Sequence, residues 1–233
     1  MKRLWFILVF FLWNMAISFS QIPYEIRFMN DLINSVKLQQ GELRSVLSAE
    51  DIEGSPYLND EFTEGVVFTT SKTRYEEIPL RYNIFHDQIE IRSDDGHVLG
   101  LAVPDVVEKL EFGEYHLEYV PYMNVKKVRH GFFVVEEKGY ATLYSKLQVQ
   151  FVEAKPAGAY QNPQPPKFVR RPDEYYIRLG KDPASPVFRK KDIESVFPDH
   201  KKEVASFIKK NNVRPNRPEK LKELVQYYNA ILQ

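Results

Sequence analysis

The stretch IPLRYNIFHDQIEIRS, residues 78–93, decides the fold class. Apolar residues alternate with polar ones on both sides of a central His86-Asp87 pair, and a period of two is typical of a half-buried β-strand. His86-Asp87 lies where the chain must turn, so the stretch predicts a hairpin of two antiparallel strands. Arg81 and Glu90 then lie opposite each other as a cross-strand ion pair.

The same alternation continues along the chain after this hairpin. Gly54 and Pro56 break the preceding segment, and turn signals such as SDDG (93–96) separate further apolar runs. We count about eight or nine strands at roughly ten-residue spacing. The sequence therefore predicts a mainly β fold with C-terminal helices (α+β). It consists of an antiparallel β-barrel or sandwich over residues 54–154, followed by a short amphipathic helical tail.

Amino-acid composition and the spacing of apolar residues predict the structure of the segments on either side of this β-body. Residues 21–53 predict a partly helical N-terminal lead-in. Five prolines within residues 155–172 predict a stiff, extended crossing that cannot pair inside a sheet. Residues 173–233 predict one short strand followed by helices, whose apolar stripes must be buried against another surface.

The first twenty residues match a secretory signal peptide. A basic start at Lys2 and Arg3 is followed by the apolar run LWFILVFFLW and then by small residues at Ser18 and Ser20. We predict cleavage after Ser20, because the apolar run is shorter than the roughly 20 residues that span a bilayer. The predicted location is periplasmic or secreted.

Cysteine is absent from the whole sequence. The chain therefore has no disulfides and no thiolate metal ligands, and it is not a lipoprotein, because that processing needs a cysteine at the cleavage site. A large exported domain without disulfides favours the periplasm of a Gram-negative bacterium. No later segment is apolar over a transmembrane length, so we expect no transmembrane span in the mature chain.

Net charge is divided unevenly along the chain. Residues 21–154 carry a net charge of −10, whereas residues 155–233 carry a net charge of +8. Two halves of opposite sign either face each other or face different partners. The basic tail therefore either docks on the acidic β-body or contacts a separate partner. We expect no nucleic acid as partner, because the chain is predicted to be exported.

Candidate catalytic chemistry is sparse. The sequence has no serine-hydrolase elbow, phosphate loop or dinucleotide fingerprint, and its histidines lack the spacing of metal ligands. We assign no catalytic, cofactor-binding or metal-ligating residue and expect no cofactor. A carboxylate pair such as Glu90 and Glu118 would serve a hydrolase if the fold brought the two groups together.

Two tyrosines suggest a binding surface. Tyr140 and Tyr144 lie on the polar face of a predicted strand over residues 140–152. Together they would form a flat platform for a sugar ring or a partner's side chain. In the alternative, the C-terminal helices cover them, since three apolar helical stripes must be buried somewhere.

Three short motifs are shared with a known group of proteins. GSPYLNDEF (54–62), LRYNIFHDQIE (80–90) and YYN (227–229) resemble a group of uncharacterised secreted proteins from Bacteroidota. The resemblance implies that members of this group consist of a signal peptide, a β-rich body and a Lys-rich helical C-terminal tail. The resemblance implies this architecture and the envelope compartment, and it implies no activity and no functional residues.

The sequence as a whole favours an exported cell-envelope protein that acts as a non-enzymatic binding or interaction module. An envelope protein, a glycan or a lipid would be its partner. Two alternatives stay open. One is a hydrolase of envelope carbohydrate or lipid that uses a carboxylate pair, and the other is a small lipid carrier with an apolar cavity inside a barrel.

Overall fold

The computed structural model describes residues 24–29, 31–32, 38–40, 52–101, 104–156 and 162–232. The predicted signal peptide, its cleavage after Ser20 and most of the lead-in lie outside these residues. In the described part of the lead-in, Met29 and Leu32 are buried. The Leu32 N–H donates to the Phe28 carbonyl at 3.3 Å, as in a helical turn.

The described residues include twelve strands, three C-terminal α-helices and a 3-10 helix at Pro104–Val106. The strands are β1 (Glu25–Arg27), β2 (Leu38–Gln40), β3 (Thr63–Thr69), β4 (Thr73–Asn83), β5 (Gln88–Arg92), β6 (Val98–Leu101), β7 (Val107–Phe112), β8 (Tyr115–Asn124), β9 (Lys127–Glu137), β10 (Ala141–Val152), β11 (Lys167–Leu179) and β12 (Ser185–Pro186). The helices are α1 (Lys190–Val196), α2 (Lys201–Lys210) and α3 (Pro218–Ile231). Pro218 begins α3 because its fixed φ suits the first helical position.

All twelve strands belong to one curled sheet. Its order is β12-β11-β10-β9-β8-β7-β3-β4-β5-β6-β2, and β1 pairs in parallel with β4. The pairings along this path are antiparallel and mostly join strands that are neighbours in sequence. The predicted mainly β fold with C-terminal helices is confirmed, and the sheet is a curled half-barrel.

The hairpin predicted over residues 78–93 forms as expected. β4 and β5 pair with Arg81 directly opposite Glu90, and Arg81 Nη2 lies 2.6 Å from Glu90 Oε2. The turn places Asp87 at a φ of 53°, in the left-handed region. Asparagine and aspartate tolerate this region better than most residues, because their short polar side chains bond locally.

Strands β8 to β12 curl into a ring. The segment after β11 returns to β8, where the Ala184 N–H donates to the Pro121 carbonyl at 2.8 Å and the Ala184 carbonyl accepts from the Met123 N–H at 2.9 Å. The side chains enclosed by this ring are largely aromatic: Val120, Phe133, Tyr144, Tyr176 and Ala184. The outer face of β8 to β10 packs against β3 to β7 through the largest apolar core.

A partly buried ion pair joins the β4–β5 turn to the ring. Asp87 Oδ2 lies 2.6 Å from Lys146 Nζ, and the same ammonium donates to the Phe132 carbonyl at 2.9 Å. Asp87 Oδ1 accepts from the Tyr82 hydroxyl at 2.6 Å. Burial lowers the pKa of Lys146, and the nearby Asp87 carboxylate partly offsets that effect. Gly131 leaves room for the pair, because a Cβ there would lie 2.6 Å from Asp87 Oδ2.

The prediction of an unpaired crossing over residues 155–172 is wrong in its second half. β11 begins at Lys167 and pairs with β10 as far as Leu179, so it is far longer than the predicted short strand. In the first half, Lys155 and Gln164 exchange two backbone hydrogen bonds of 2.9 Å. The proline-rich composition therefore does not prevent a long strand from beginning at Lys167.

Pro172 is tolerated inside β11 because the ladder shifts register at that point. Arg171 lies opposite Gln148, whereas Glu174 lies opposite Lys146, so two residues of β11 face one residue of β10. At such a bulge a strand residue needs no ladder hydrogen bond. A proline without an N–H is therefore accommodated there at little cost.

The helical tail docks on the β-body through apolar side chains. Helix residues such as Ile193, Ile208 and Leu224 pack with Ala141 of β10 and Ile177 of β11 in one buried cluster. By contrast, the ion pair between tail and body that joins Lys222 to Glu137 is 3.7 Å long and partly exposed. Exposed ion pairs contribute little, so the docking follows from apolar burial more than from opposite charge.

The three motifs GSPYL, LRYN and YYN have structural roles. In GSPYL, the Leu58 N–H donates to the Tyr82 carbonyl at 3.0 Å, which adds this segment to the LRYN strand. The Arg81 guanidinium lies 3.7 Å from the centre of the Tyr57 ring. In YYN, Asn229 Oδ1 accepts from the Ala141 N–H at 2.8 Å, and Asn229 Nδ2 donates to the Ala141 carbonyl at 2.9 Å. The motifs therefore hold the fold together.

Candidate binding cleft

The structure does not bring Glu90 and Glu118 together. Glu90 is buried in the β4–β5 hairpin, where Asn83 Nδ2 donates to its Oε1 at 3.0 Å. Glu118 accepts from the Tyr144 hydroxyl at 2.5 Å and from the Lys138 ammonium. Within the described ranges the two carboxylates share no partner, so the hydrolase hypothesis loses this pair.

Tyr140 and Tyr144 do not form the predicted platform. Tyr144 is 1% exposed, because it points into the ring and packs against Phe133. Tyr140 precedes β10 and is exposed. The helices cover the other face of β10, at Ala141 and Leu143. The alternative in which the helices cover both tyrosines is therefore also wrong.

The lipid-carrier alternative requires an apolar cavity inside the β-body. The interior between the described strands is instead filled by buried side chains. The space between the two parts of the sheet holds large residues such as Leu80, Ile89, Leu110 and Phe132. This packing provides no support for a carrier in the part of the chain that the structure describes.

A polar cleft opens where the sheet divides between β7 and β8. The two strands pair only between residues 110–112 and residues 115–117, although both continue beyond this short ladder. β8 then bends towards Ala184 in the ring, whereas β7 stays with β3. The cleft between them has a volume of about 380 Å³.

The walls of this cleft carry charges of both signs. Asp105 and Glu108 lie on the β7 side, whereas Glu118, Lys138 and Arg178 come from the ring. The aromatic rings of Tyr119 and His130 stack at the cleft, with 5.9 Å between their centroids.

Two of the carboxylates in the cleft have their charge compensated. Burial alone would raise the pKa of Glu108, but the hydrogen bonds from Lys72 at 2.6 Å and from Tyr24, together with the nearby lysine charges, hold the pKa below its usual value. Glu118 is neutralised by Lys138, and burial together with this carboxylate raises the pKa of the Tyr144 hydroxyl well above its ordinary value. Asp105 forms no ion pair within the described residues, so it is available to a ligand.

Main-chain groups also face the cleft. Residues 118–120 of β8 pair with β9 on one edge, and residues 107–109 of β7 pair with β3 on one edge. As far as the described chain extends, no strand pairs with the second edge of either segment. Unpaired strand edges are templates for an additional extended chain. The arrangement is therefore suited to binding.

The cleft residues Asp105, His130 and Arg178 were not predicted as a group. They are distant in sequence, and only the bend of β8 brings them together. One local signal exists in retrospect, because Pro121 lies within β8 and proline is confined to strand positions that need no ladder donor.

Neither a metal centre nor a membrane helix is found in the described residues. No group of three or more histidine, aspartate or glutamate side chains there is placed to hold a metal ion. No helix in that part of the chain is long and apolar enough to cross a bilayer.

Comparison of the chain with family models, with curated proteins and with solved structures gives no match.

Proposed function

We propose that this chain is an exported, non-enzymatic binding protein of the cell envelope. Its ligand is an extended peptide segment of another envelope protein, bound in the cleft between β7 and β8. The observation that supports this is the early end of the β7–β8 ladder, which leaves two strand edges beside a polar cleft.

Main-chain pairing would supply the affinity. A peptide that adds to a strand edge gains hydrogen bonds that do not depend on its sequence, and pockets for alternate side chains supply specificity. Here the selective groups are Asp105 on one side and Arg178 on the other. The Arg178 guanidinium donates to backbone carbonyls of its own loop, at Lys181 and Asp182. It has no carboxylate partner among the described residues.

Peptide display tests this proposal. Random heptapeptides are selected on the purified chain, and their affinities are measured for the wild type, Thr70→Trp and Asn216→Trp. Thr70 is exposed on the cleft wall, so the indole of Thr70→Trp fills the cleft. Asn216 is exposed before α3 and is absent from the cleft lining, which makes Asn216→Trp the matched control.

We expect Thr70→Trp to weaken peptide binding by at least about tenfold, which corresponds to roughly 1.4 kcal/mol, and Asn216→Trp to leave it unchanged. The amide resonances of residues 107–109 and 118–120 should shift when peptide is added. If Thr70→Trp and Asn216→Trp bind the peptides with equal affinity, or if peptide shifts amide resonances only elsewhere in the chain, the cleft is not the binding site.

A further inference from the structure

The hairpin between β8 and β9 ends in an exposed apolar tip. Its two-residue loop is Val125-Lys126, and the Val125 side chain is 92% exposed. Val125 has a φ of 58°. Hairpin loops that need a positive φ usually have glycine or asparagine there, and a β-branched residue is strongly disfavoured. Such strained positions are concentrated at functional surfaces.

Basic side chains surround this tip. Lys126, Lys127 and Arg129 are exposed, and none of them forms an ion pair with a carboxylate of a described residue. Val128, between two of them, is also exposed. The tip therefore combines protruding apolar groups with uncompensated positive charge.

A second segment with the same character lies across a groove of about 590 Å³ from the tip. Its exposed residues are Phe188 and Arg189, and Lys190 and Lys191 follow at the start of α1. We call residues 125–129 and 188–191 together the basic tip face.

The carboxylates that line the groove are already engaged. Asp192 pairs with Arg189 at 2.9 Å, and Glu174 accepts a hydrogen bond from the Tyr176 hydroxyl at 3.2 Å. Glu194 on α1 is a further acidic residue close by in sequence. The basic tip face therefore retains an excess of positive charge.

We infer that the basic tip face docks on an anionic lipid surface, with Val125 and Phe188 inserted at the level of the headgroups and the cations beside the phosphates. Protruding apolar side chains flanked by lysine and arginine are typical of surfaces that bind at the bilayer interface. A protein partner would need a contiguous patch of about 800 Å² on this side, whereas the exposed apolar groups here are few and separated. This docking does not depend on the β7–β8 cleft.

Vesicle co-sedimentation tests the docking. The chain is mixed with vesicles of phosphatidylcholine alone or of phosphatidylcholine with phosphatidylglycerol, and the partition coefficients are compared. Each cation near an anionic surface contributes about a factor of five, so Lys126→Gln/Lys127→Gln should lower binding to the anionic vesicles roughly 30-fold. The matched control, Lys209→Gln/Lys210→Gln at the end of α2, removes the same charge elsewhere and should leave binding nearly unchanged.

A fluorescence experiment reports insertion directly. Trp5 and Trp13 are the only tryptophans in the sequence, and both lie in the predicted signal peptide. The chain that begins at Gln21 therefore accepts a single tryptophan as reporter. Val125→Trp should show a blue shift on anionic vesicles and none on neutral vesicles. Asn216→Trp should show no shift on either.

Three results would overturn the inference. The first is equal binding to neutral and anionic vesicles. The second is a loss of binding in the control pair as large as that in the tip pair, which would indicate a diffuse effect of net charge. Binding to polyglutamate without binding to vesicles would assign the face to an acidic protein. Thr70→Trp should bind vesicles like the wild type, so failure of the cleft proposal is distinguishable from failure of this one.

Discussion

Neutralising Asp87 tests whether the ion pair with Lys146 holds the β4–β5 turn to the ring. Asp87→Asn keeps the size of the side chain and tolerates the left-handed backbone, so the charge is the main change. Breaking a buried pair costs roughly 3–5 kcal/mol. Because the Asp87 side chain is 31% exposed and that of Lys146 is 10% exposed, solvent screens the pair. We therefore expect a loss of about 2 kcal/mol in the free energy of unfolding.

A double-mutant cycle isolates the pair. Asp87→Asn, Lys146→Met and the double variant are unfolded in urea and followed by far-ultraviolet circular dichroism. We expect the sum of the two single-variant losses in unfolding free energy to exceed the loss of the double variant by about 1–2 kcal/mol. Each single change leaves an unpaired charge, and the second change removes that charge. The exposed pair Lys220–Glu223 on α3 is the control, with an expected coupling of about 0.3–0.5 kcal/mol. A coupling below about 0.5 kcal/mol at Asp87 would refute the reasoning, since it would make this pair equivalent to a surface pair.

Three further outcomes follow from the packing. Gly131→Ala should destabilise the chain by about 2 kcal/mol, because its Cβ would lie 2.6 Å from Asp87 Oδ2 and 2.8 Å from Lys146 Nζ; urea unfolding should show a smaller loss in the Lys146→Met background. Asn229→Ala removes two hydrogen bonds to buried Ala141, and should cost about 1–3 kcal/mol and accelerate hydrogen exchange of the Ala141 amide. Alkaline titration should show stability that is complete below pH 10.0, the ordinary pKa of tyrosine, and is lost as the pH rises through it. The reason is that burial raises the folded-state pKa of three tyrosine hydroxyls, so these groups ionise first in the unfolded chain. They are Tyr82, Tyr144 and Tyr176. Ultraviolet absorbance should show that they ionise only when the chain unfolds.

The hairpin at residues 78–93 could be predicted because its determinants are local. Alternation of apolar residues fixes which face is buried, and the turn fixes the register that places Arg81 opposite Glu90. The helices of the tail could be predicted for the same reason, since a stripe such as that of Leu221, Leu224 and Tyr228 follows the helical period.

Other features depend on contacts between distant segments. A proline-rich composition argued against a strand at Lys167, and only the bulge beside Pro172 makes that strand compatible with the sheet. Tyr144 lies on a polar face of its strand, but closure of the ring at Ala184 turns that face into a core. The cleft could not be predicted either, because it exists only where β8 leaves β7.

Closure of the ring also constrains how the chain assembles. Most strands pair with a neighbour in sequence, so hairpins can form one after another during synthesis. The edge of β8 at Tyr122 must wait until the segment at Ala184 has been made. During that interval the edge is open to the same segment of a second molecule. Domain-swapped dimers that exchange the segment around Ala184 are therefore the expected misassembly of this protein at high concentration.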